Sequence, residues 1–224
     1  MKQFNYTQRV SIQKKYNSRQ VVSDVYLKCA TNDIIGLLGK NGSGKSTLLK
    51  VIFGIVSADH KFIRINGVVK SDTHQLLKEI SYLPQENFIP NHFTVKMAIS
   101  LSLDTEKSDH FCNDKMIQSI LPKRIRHLSS GELRYLEIKL VLFNPSKFVL
   151  LDEPYNGLSP LMIETINQLI VENAQQKGII ITDHNYENVI RISTQLVLMR
   201  DGKTNTLKSK NELIEKGYLN EGML

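Results

Sequence analysis

The chain has 224 residues, of which 41% are hydrophobic and 23% are charged, and its formal net charge is +7. This length suits one domain with a sizeable core, and the composition is ordinary for a soluble globular protein. The basic residues are scattered without interleaved aromatic residues, so we expect no nucleic acid partner. We expect neither a secretory leader nor a membrane span, and the two cysteines lack a metal or redox spacing. These features predict a protein that is cytoplasmic or peripheral on the cytoplasmic face of a membrane.

The first thirty residues alternate polar and apolar side chains in short pieces, as at Val10–Ile12 and Val21–Leu27. This alternation predicts antiparallel strands with one solvated face. Tyr16 lies in the turn between two of these strands. An aromatic ring there could stack on a purine, although a surface tyrosine is the simpler interpretation of this residue alone.

A glycine-rich segment follows a predicted buried strand, Ile34–Leu38, and precedes a helix predicted from Thr47 to Phe53. Its residues, which fit the pattern G-x-x-x-x-G-K-[ST], are Gly39, Lys40, Asn41, Gly42, Ser43, Gly44, Lys45 and Ser46. Glycines let successive backbone N–H groups turn inward around a phosphate chain, and the helix N-terminus adds partial positive charge.

In this arrangement Lys45 would neutralise the β and γ phosphates of a nucleotide, and the hydroxyl group of Ser46 would be a ligand of Mg²⁺. A glycine-rich turn before an ordinary helix is the alternative interpretation. The strand and the helix on either side favour phosphate binding.

A strand predicted at Ile80–Leu83 ends at Gln85, and a glutamine at a strand exit can reach a metal ion or a water molecule. The pattern predicts further elements around it: a hairpin at Lys61–Val69 with an Asn-Gly turn, helices at Thr94–Ser102 and Asn113–Leu121, a loop at Asp104–Asp109 between them, a hairpin at Gln195–Leu207 and a short helix from Ser209.

The segment Leu128–Glu132 opens a strongly apolar predicted helix. Ser129 and Glu132 form the capping-box pattern S-x-x-E, which accounts for the segment structurally. Ser130 and Gly131 at a helix N-terminus would also present N–H donors to an anion. The residues alone leave both interpretations open.

Two adjacent carboxylates, Asp152 and Glu153, follow the apolar run Lys147–Leu151. The run predicts a buried strand, and an open α/β sheet binds its ligands at the carboxyl ends of such strands. Because neighbouring side chains of a strand point in different directions, the two carboxylates can hold different roles. Asp152 suits the outer coordination shell of Mg²⁺, and Glu153 suits a base that orients an attacking water. The phosphate loop in the same chain disfavours the alternative, a simple acidic turn.

A second buried strand is predicted to end at the same edge of the sheet. Ser159 and Pro160 are typical of the first positions of a helix, which we expect to run to Lys177. The apolar strand Gly178–Thr182 then leads to His184. A lone histidine is usually structural, but one beside a strand that bears two carboxylates is a candidate sensor of the γ-phosphate.

Taken in order, these motifs resemble those of the ATP-binding subunits of ABC transporters, and the resemblance covers nearly the whole chain. The loop Gly39–Ser46 is similar to the phosphate loop of the family, and Phe148–Glu153 is similar to its Walker B strand. Gln85 matches the Q-loop, Leu128–Glu132 the signature motif, and His184 the switch histidine. The runs that begin at positions 82 and 181 are most similar to the lipopolysaccharide-export and branched-chain amino-acid subgroup.

The resemblance implies an α/β fold of the P-loop NTPase, ABC-ATPase type. A RecA-like core would carry an antiparallel β subdomain and a short helical subdomain. The chain would be a single domain over 1–224, with the core and β subdomain at about 1–85 and 136–224 and the helical lobe at about 86–135.

The resemblance also implies ATP and Mg²⁺ as ligands and a Mg-dependent ATPase reaction, with the ring of Tyr16 stacked on adenine. The nucleotide-binding residues would be Tyr16, Gly39, Lys40, Asn41, Gly42, Ser43, Gly44, Lys45, Ser46, Thr47, Ser129, Ser130, Gly131 and Glu132. The catalytic residues would be Glu153, His184, Lys45 and Gln85. The residues that serve the metal would be Ser46, Gln85 and Asp152.

Two partners follow from the same resemblance. A second copy of the chain, or a homologous ATPase subunit, would face this one head to tail, so that each signature helix caps the γ-phosphate held by the other phosphate loop. An integral membrane permease would receive the motion of this dimer. Because cargo would pass through the permease, no residue of this chain identifies the transported substrate or its direction.

Three features depart from the family pattern. Ser130 takes the place of the more usual first glycine of the signature, and Ser159 stands where the family usually has aspartate in the D-loop. The segment from Gln85 to Ser129 is also shorter than in many relatives. Two alternatives therefore stay open: a soluble ABC ATPase without a permease, such as one for Fe–S assembly, and an adaptor that binds ATP but hardly hydrolyses it.

Overall fold

The computed structural model describes residues 7–16 and 19–221. The described strands are β1 (Thr7–Tyr16), β2 (Arg19–Ala30), β3 (Ile34–Leu38), β4 (His60–Ile65), β5 (Val68–Val69), β6 (Ile80–Leu83), β7 (Phe148–Asp152), β8 (Gly178–Thr182), β9 (Gln195–Arg200) and β10 (Lys203–Thr206). The described helices are α1 (Lys45–Phe53), α2 (Thr73–Leu77), α3 (Val95–Ser102), α4 (Thr105–Cys112), α5 (Lys115–Ile120), α6 (Ser130–Phe143), α7 (Pro160–Ala174), α8 (Tyr186–Ile192) and α9 (Glu212–Glu215), with a 3₁₀ turn at Ile125–His127.

These strands form one mixed sheet in the order β5-β4-β1-β2-β10-β9-β3-β8-β7-β6. In its parallel part, β6, β7, β8, β3 and β9 are neighbours, and β3, β7 and β8 are buried at every position because their sequences are nearly continuous apolar runs. Leu38 and Leu151 face one hydrophobic core, whereas Leu37 and Leu150 face the other. The carboxyl ends of β3, β6, β7 and β8 consequently meet at one edge of the sheet.

The antiparallel part pairs β1 with β2 and β4, and β4 with β5. Ile12 and Ile63 are buried, whereas Tyr26 and Phe62 are exposed, which confirms the predicted strands with one solvated face. The predicted Asn-Gly hairpin is confirmed as well. Its two turn residues, at positions 66 and 67, have φ angles of +51° and +81°, as a tight hairpin turn requires.

Helices α3, α4 and α5 lie between β6 and α6. The predicted loop at Asp104–Asp109 is wrong, because α4 occupies most of it. Asp104 caps this helix by accepting the backbone N–H of Lys107 at 2.9 Å, and Phe111 is fully buried against Phe143, with ring centroids 5.2 Å apart. Packing of the ring therefore stabilises a helix whose first turn has the composition of a loop.

Other boundaries differ by a few residues. The helix after Pro160 ends at Ala174 instead of Lys177, and α9 begins at Glu212 instead of Ser209. Helices α2 and α8 were not predicted, because both are short and depend on a polar cap and one or two buried side chains. No described helix is long and apolar enough to cross a membrane. The division of the chain into a core and a helical lobe stays a prediction.

Candidate functional site

The phosphate loop, Gly39–Ser46, joins the carboxyl end of β3 to the N-terminus of α1. Gly42 and Gly44 have φ angles of +74° and +104°, a region that favours glycine. A Cβ atom on Gly44 would lie 2.8 Å from the carbonyl oxygen of Val21, whereas one on Gly42 would meet nothing within 4 Å. The loop therefore needs Gly44 for its packing as well as its conformation, and Gly42 borders open space.

Lys45 directs its ammonium group back into this loop. Its Nζ donates to the carbonyl oxygens of Gly39 at 2.7 Å and Lys40 at 3.3 Å, and the residue is only 8% exposed. Burial lowers the pKa of Lys45, while the carboxylates of Glu153 and Asp152 act in the opposite direction. The cation is thus held where a bound anion could replace the two carbonyl oxygens as its partner.

The loop also has unused hydrogen-bonding capacity that fits a phosphate group. The hydroxyl group of Ser43 is buried without a hydrogen-bond partner. A cavity of about 220 Å³ lies over the loop and is lined by Val21, Asn41, Gly42, Gly44, Lys45, Ser46, Thr47, Glu153 and His184. Lys40 is exposed. A phosphate chain would supply acceptors for the hydroxyl group, the ammonium group and the backbone N–H groups of the loop.

Asp152 is fully buried at the end of β7. Its Oδ1 accepts a hydrogen bond from the hydroxyl group of Ser46 at 2.9 Å, and its Oδ2 accepts one from the hydroxyl group of Tyr82 at 2.9 Å. Burial raises the pKa of Asp152, and these two hydrogen bonds oppose the rise. In the described part of the chain, no cluster of three or more His, Cys, Asp and Glu residues could enclose a metal ion. Ser46 and Asp152 instead offer a few oxygen ligands, which fits Mg²⁺ because this ion keeps several waters.

Glu153 directly follows Asp152, but its backbone leaves the strand with a φ angle of +50°. Its side chain points toward Gln85 and His184 and not toward the partners of Asp152. Its Oε2 accepts a hydrogen bond from Nε2 of Gln85 at 2.7 Å, and its Oε1 lies 2.8 Å from Nε2 of His184. The N–H of Glu153 donates to the carbonyl oxygen of Thr182 at 2.8 Å, so β7 and β8 stay paired up to this point. The predicted divergence of the two carboxylates is therefore confirmed, and three strand ends converge on the second carboxylate.

Arg134, on α6, holds the backbone around this carboxylate. The residue is 4% exposed, and its guanidinium group donates to the carbonyl oxygens of Pro84 at 2.9 Å, Asp152 at 3.0 Å and Glu153 at 2.8 Å. A planar group with five donors suits several carbonyl oxygens at once. These bonds support a left-handed conformation that is otherwise strained in a residue with a side chain.

Glu137 extends the same network one helical turn later. Its Oε2 lies 3.5 Å from the guanidinium group of Arg134, and its Oε1 accepts the N–H groups of Phe88 at 2.8 Å and Ile89 at 3.4 Å. The helix α6 therefore connects the end of β7 with the segment that follows Gln85.

Three residues of this site were not predicted from the sequence: Tyr82, Arg134 and Glu137. One signal was available for the last two, because opposite charges at positions i and i+3 on a strongly apolar helix indicate a buried ion pair. The contact between Tyr82 and Asp152 follows from the pairing of β6 with β7, which no local pattern shows.

The signature segment forms the predicted capping box at the N-terminus of α6. The hydroxyl group of Ser129 accepts the N–H of Glu132 at 3.2 Å, and Oε2 of Glu132 accepts the N–H of Ser129 at 2.7 Å. The ammonium group of Lys123 donates to Oε1 of Glu132 at 2.7 Å. Ser129, Ser130, Gly131 and Glu132 are not among the residues that line the cavity over the phosphate loop. Their role toward an anion stays a prediction.

The structure does not test the role of Tyr16. This residue ends β1, and its side chain lies outside the described part of the chain. The stacking of its ring on adenine stays a prediction.

The sequence of this chain is similar to those of known proteins of one family. The sequence model of the ABC transporter family matches residues 22–156. The lipopolysaccharide export system ATP-binding protein LptB of Haemophilus influenzae is 33% identical over 94% of this chain and 95% of that protein. The LptB protein of Acidithiobacillus ferridurans is 30% identical over 93% of this chain and 92% of its own length. These relatives confirm the predicted subgroup.

Solved structures share the fold at lower sequence identity. The ATP-binding subunit of an ABC transporter superposes with a TM-score of 0.81 at 21% identity, covering 94% of this chain and 92% of that one. A bacterial Atm1-family ABC exporter with ATP bound gives a TM-score of 0.82 at 17% identity, over 97% of this chain and 41% of the exporter. The predicted fold class is thereby confirmed. The chain belongs to the ABC transporter family and is one of its ATP-binding subunits.

Proposed function

We propose that the protein hydrolyses ATP to ADP and phosphate in a Mg-dependent reaction that drives a membrane permease. The observation that carries this proposal is the carboxylate of Glu153, which Gln85 and His184 hold at hydrogen-bond distance beside the phosphate loop. A carboxylate fixed in this way can orient an attacking water and accept its proton.

The other residues of the site would bind and polarise the nucleotide. Lys45 would leave the carbonyl oxygens of its own loop and pair with the β and γ phosphates. Mg²⁺, when bound, would offset negative charge on the phosphate oxygens. Ser46 and Asp152 would hold this ion, with Gln85 reaching it from the neighbouring strand. His184 would contact the γ-phosphate through the ring that now lies against Glu153.

The base of the nucleotide would extend from the loop toward the turn between β1 and β2, where the ring of Tyr16 would stack on it. The position of Val21 supports this placement, since this residue of β2 lines the cavity over the loop. A stacked aromatic ring holds a base without selecting among purines by hydrogen bonds.

The second half of the site would come from another copy of the chain or from a homologous subunit. The exposed helix N-terminus at Ser129–Glu132 would face the γ-phosphate held by the partner, where N–H groups and the helix dipole attract negative charge. Ser130 keeps the small size that this position needs and adds a donor. Ser159 caps α7 by accepting the N–H of Met162 at 3.3 Å, so the D-loop keeps its helix start without the charge that is usual there.

The dimer would dock onto an integral membrane permease at the cytoplasmic face of a membrane. The names of the relatives, which belong to a lipopolysaccharide export system, supply the first candidate class of transporter. The same names favour transport over a soluble ATPase of the Fe–S assembly type. The hydrogen-bonded carboxylate of Glu153 favours hydrolysis over an adaptor that only binds ATP.

Replacement of the proposed base tests the reaction. Glu153→Gln keeps the size of the side chain and should leave ATP binding intact while lowering turnover by about 10²–10⁴-fold. The variant should also accumulate as an ATP-bound dimer that light scattering detects. Glu86→Gln is a matched control, since Glu86 is an exposed carboxylate close to Gln85 in the sequence, and it should hydrolyse ATP normally. Normal turnover by Glu153→Gln would contradict the role of this carboxylate.

A separate experiment tests the partner. We expect the tagged protein, purified from detergent-solubilised membranes, to bring an integral membrane protein with it in a fixed ratio. Recovery with soluble proteins alone would instead support the permease-free alternative.

A further inference from the structure

Asp183 lies between the two turns that carry Glu153 and His184. It directly follows β8 and is 6% exposed. Its Oδ2 accepts a hydrogen bond from the backbone N–H of Tyr155 at 2.8 Å, and its Oδ1 accepts one from the backbone N–H of Asn185 at 2.8 Å. Tyr155 comes two residues after Glu153, and Asn185 directly follows His184. One buried carboxylate therefore binds the backbone of both turns.

Each of these turns is also fixed to a helix by its own side chain. The hydroxyl group of Tyr155, which is buried, donates to Oδ1 of Asn167 on α7. The side chain of Asn185 caps α8, and its Oδ1 accepts a hydrogen bond from Nδ2 of Asn188 at 2.9 Å. The two helices are joined in turn, because Nδ2 of Asn167 donates to Oδ1 of Asn188 at 3.3 Å. The carboxylate of Asp183 thus connects two turns that are themselves anchored.

The position of Asp183 requires two hydrogen-bond acceptors. A carboxylate has an acceptor oxygen for each backbone N–H, whereas an amide of the same size has one oxygen and an NH₂ group that can only donate. Burial raises the pKa of Asp183, and the two backbone N–H groups oppose the rise because they favour the charged form. Asp183 is not among the residues that line the cavity over the phosphate loop. Its contacts therefore serve the backbone and not the nucleotide.

The geometry that these contacts control is the distance between Glu153 and His184. Oε1 of Glu153 lies 2.8 Å from Nε2 of His184, and the side chain of His184 is 54% exposed. A ring this exposed is held by few packing contacts, so its position depends on the backbone that carries it. A shift of either turn would consequently separate the two side chains.

We propose that Asp183 is a positioning residue for ATP hydrolysis, which joins the turn after Glu153 to the turn after His184 and so holds these two side chains together. This inference rests on the proposed function. Loss of the connection lowers turnover at saturating ATP, because the proposed base and the histidine no longer share one geometry. Binding of the nucleotide stays unchanged, because the phosphate loop is intact.

Asp183→Asn tests the connection, since it keeps the size of the side chain and turns an NH₂ group toward one of the two backbone N–H groups. We expect kcat to fall by about tenfold. The Kd of a fluorescent ATP analogue, measured on the full chain without Mg²⁺, should stay within about twofold of the unaltered protein. Asp33→Asn is the matched control and should change neither value. Asp33 is a half-buried aspartate that accepts the N–H of Ala30 at 2.7 Å, before β3 and so at the opposite edge of the sheet.

A spectroscopic measurement tests the same contact without turnover. The ring nitrogens of His184 give NMR signals that can be identified by their loss in His184→Gln. In the nucleotide-free protein, Asp183→Asn should shift these signals, because the ring leaves the carboxylate of Glu153, whereas Asp33→Asn should not. A merely structural role of Asp183 would lower the unfolding temperature and the active fraction, but the folded fraction would keep the signals of the unaltered protein.

Tyr155→Phe keeps the test decisive if Asp183→Asn does not fold. It removes the hydroxyl group that anchors the first turn and leaves the carboxylate of Asp183 in place. We expect kcat to fall by about threefold, with an unchanged Kd and a smaller shift of the His184 signals.

The outcomes separate this inference from the proposed function. ATP hydrolysis by the unaltered protein, together with a normal kcat or unshifted His184 signals in Asp183→Asn, would overturn the role of Asp183 alone. If Asp183→Asn does not fold, a normal kcat in Tyr155→Phe would do the same. Failure of the unaltered protein to bind and hydrolyse ATP would overturn the proposed function, and the inference with it.

Discussion

The two halves of the proposed nucleotide site are built in opposite ways. The phosphate-loop half is assembled from strand ends inside one chain, where Lys45 is 8% exposed and Asp152 is 0% exposed. The signature half lies at a helix N-terminus with Ser129 exposed, where the side chain and backbone of this residue are hydrogen-bonded to Glu132. The buried half is held in place before a nucleotide binds. In the exposed half, the N–H donors of the helix terminus bind Glu132 and the side chain of Ser129 until another anion competes for them. The fold of one chain thus forms the phosphate-loop half of the site. Association with a second subunit would bring the signature half to it.

Helix α6 connects these two regions. Its N-terminus carries the signature, and its second turn carries Arg134, which binds the carbonyl oxygens around Glu153. A helix moves as a rigid element, so a displacement of the signature is expected to move the backbone at the proposed base. Substitutions at each end of α6 test this connection.

The largest effect is expected at Arg134. Arg134→Met should lower the free energy of unfolding by about 3–5 kcal/mol, because it leaves the buried carboxylate of Glu137 without its cation. The carbonyl oxygens of Asp152 and Glu153 also lose a donor. Urea denaturation followed by circular dichroism measures this change.

Arg191→Met is the matched control for this variant. Arg191 pairs with Glu164 at 2.6 Å, but both side chains are about half exposed, so its loss should change the free energy of unfolding by less than about 1 kcal/mol. Equal effects of the two arginine substitutions would contradict the assignment of Arg134 as the buried support of the proposed base.

A smaller effect on stability is expected at the signature. Ser129→Ala removes the N-cap of α6 and should lower the free energy of unfolding by about 1 kcal/mol. If the signature also binds the γ-phosphate of a partner, turnover at saturating ATP should fall by more than about tenfold, the loss of a hydrogen bond to a charged group. ATP affinity at low protein concentration should stay unchanged, since the phosphate-loop half is intact.

Thr94→Ala separates the two roles of a capping residue. Thr94 caps α3 by accepting the N–H of Met97 at 3.1 Å, so its loss should cost a similar stability while turnover of the isolated protein stays normal. A Ser129→Ala variant that behaves like this control would show that the signature acts only as a helix cap.

The smallest effect is a pH dependence at Glu132. The hydrogen bond from Lys123, followed by the N–H of Ser129, lowers the pKa of this carboxyl group below its ordinary value of 4.5. An acid whose pKa is lower in the folded state stabilises the fold above 4.5, and this contribution is lost as the pH falls through the folded value. Because the group is partly solvated, we expect less than about 1 kcal/mol.

Denaturation of Glu132→Gln and of the unaltered protein over a range of pH measures the contribution of this carboxyl group to the free energy of unfolding. The difference between the two free energies of unfolding should be constant near neutral pH and should begin to decline as the pH falls below the ordinary value of 4.5. It should approach zero below the pKa of the folded state, where both side chains are neutral. A difference that grows in acid would reverse the sign and contradict the assigned hydrogen bonds.

The polar segment around Asp104 shows where sequence reasoning fails. Its composition predicts a loop, yet it begins a helix because Phe111 is buried against α6. The turn of the hairpin at positions 66 and 67 was predicted correctly, because an Asn-Gly pair determines its own turn. Secondary structure can be predicted from the local sequence where neighbouring residues determine the conformation. The prediction fails where a contact with a distant residue determines it.

The sequence by itself determined the parts of this protein that depend on a few consecutive residues. The glycines and Lys45 of the phosphate loop, the apolar strands, and the two carboxylates after β7 are examples, because backbone sterics and burial act within each segment. Only the tertiary structure decided that Tyr82 binds Asp152 and that Arg134 supports Glu153. These partners are remote in sequence, and their contacts arise from the order of strands and the packing of helices across the sheet, which no local pattern encodes.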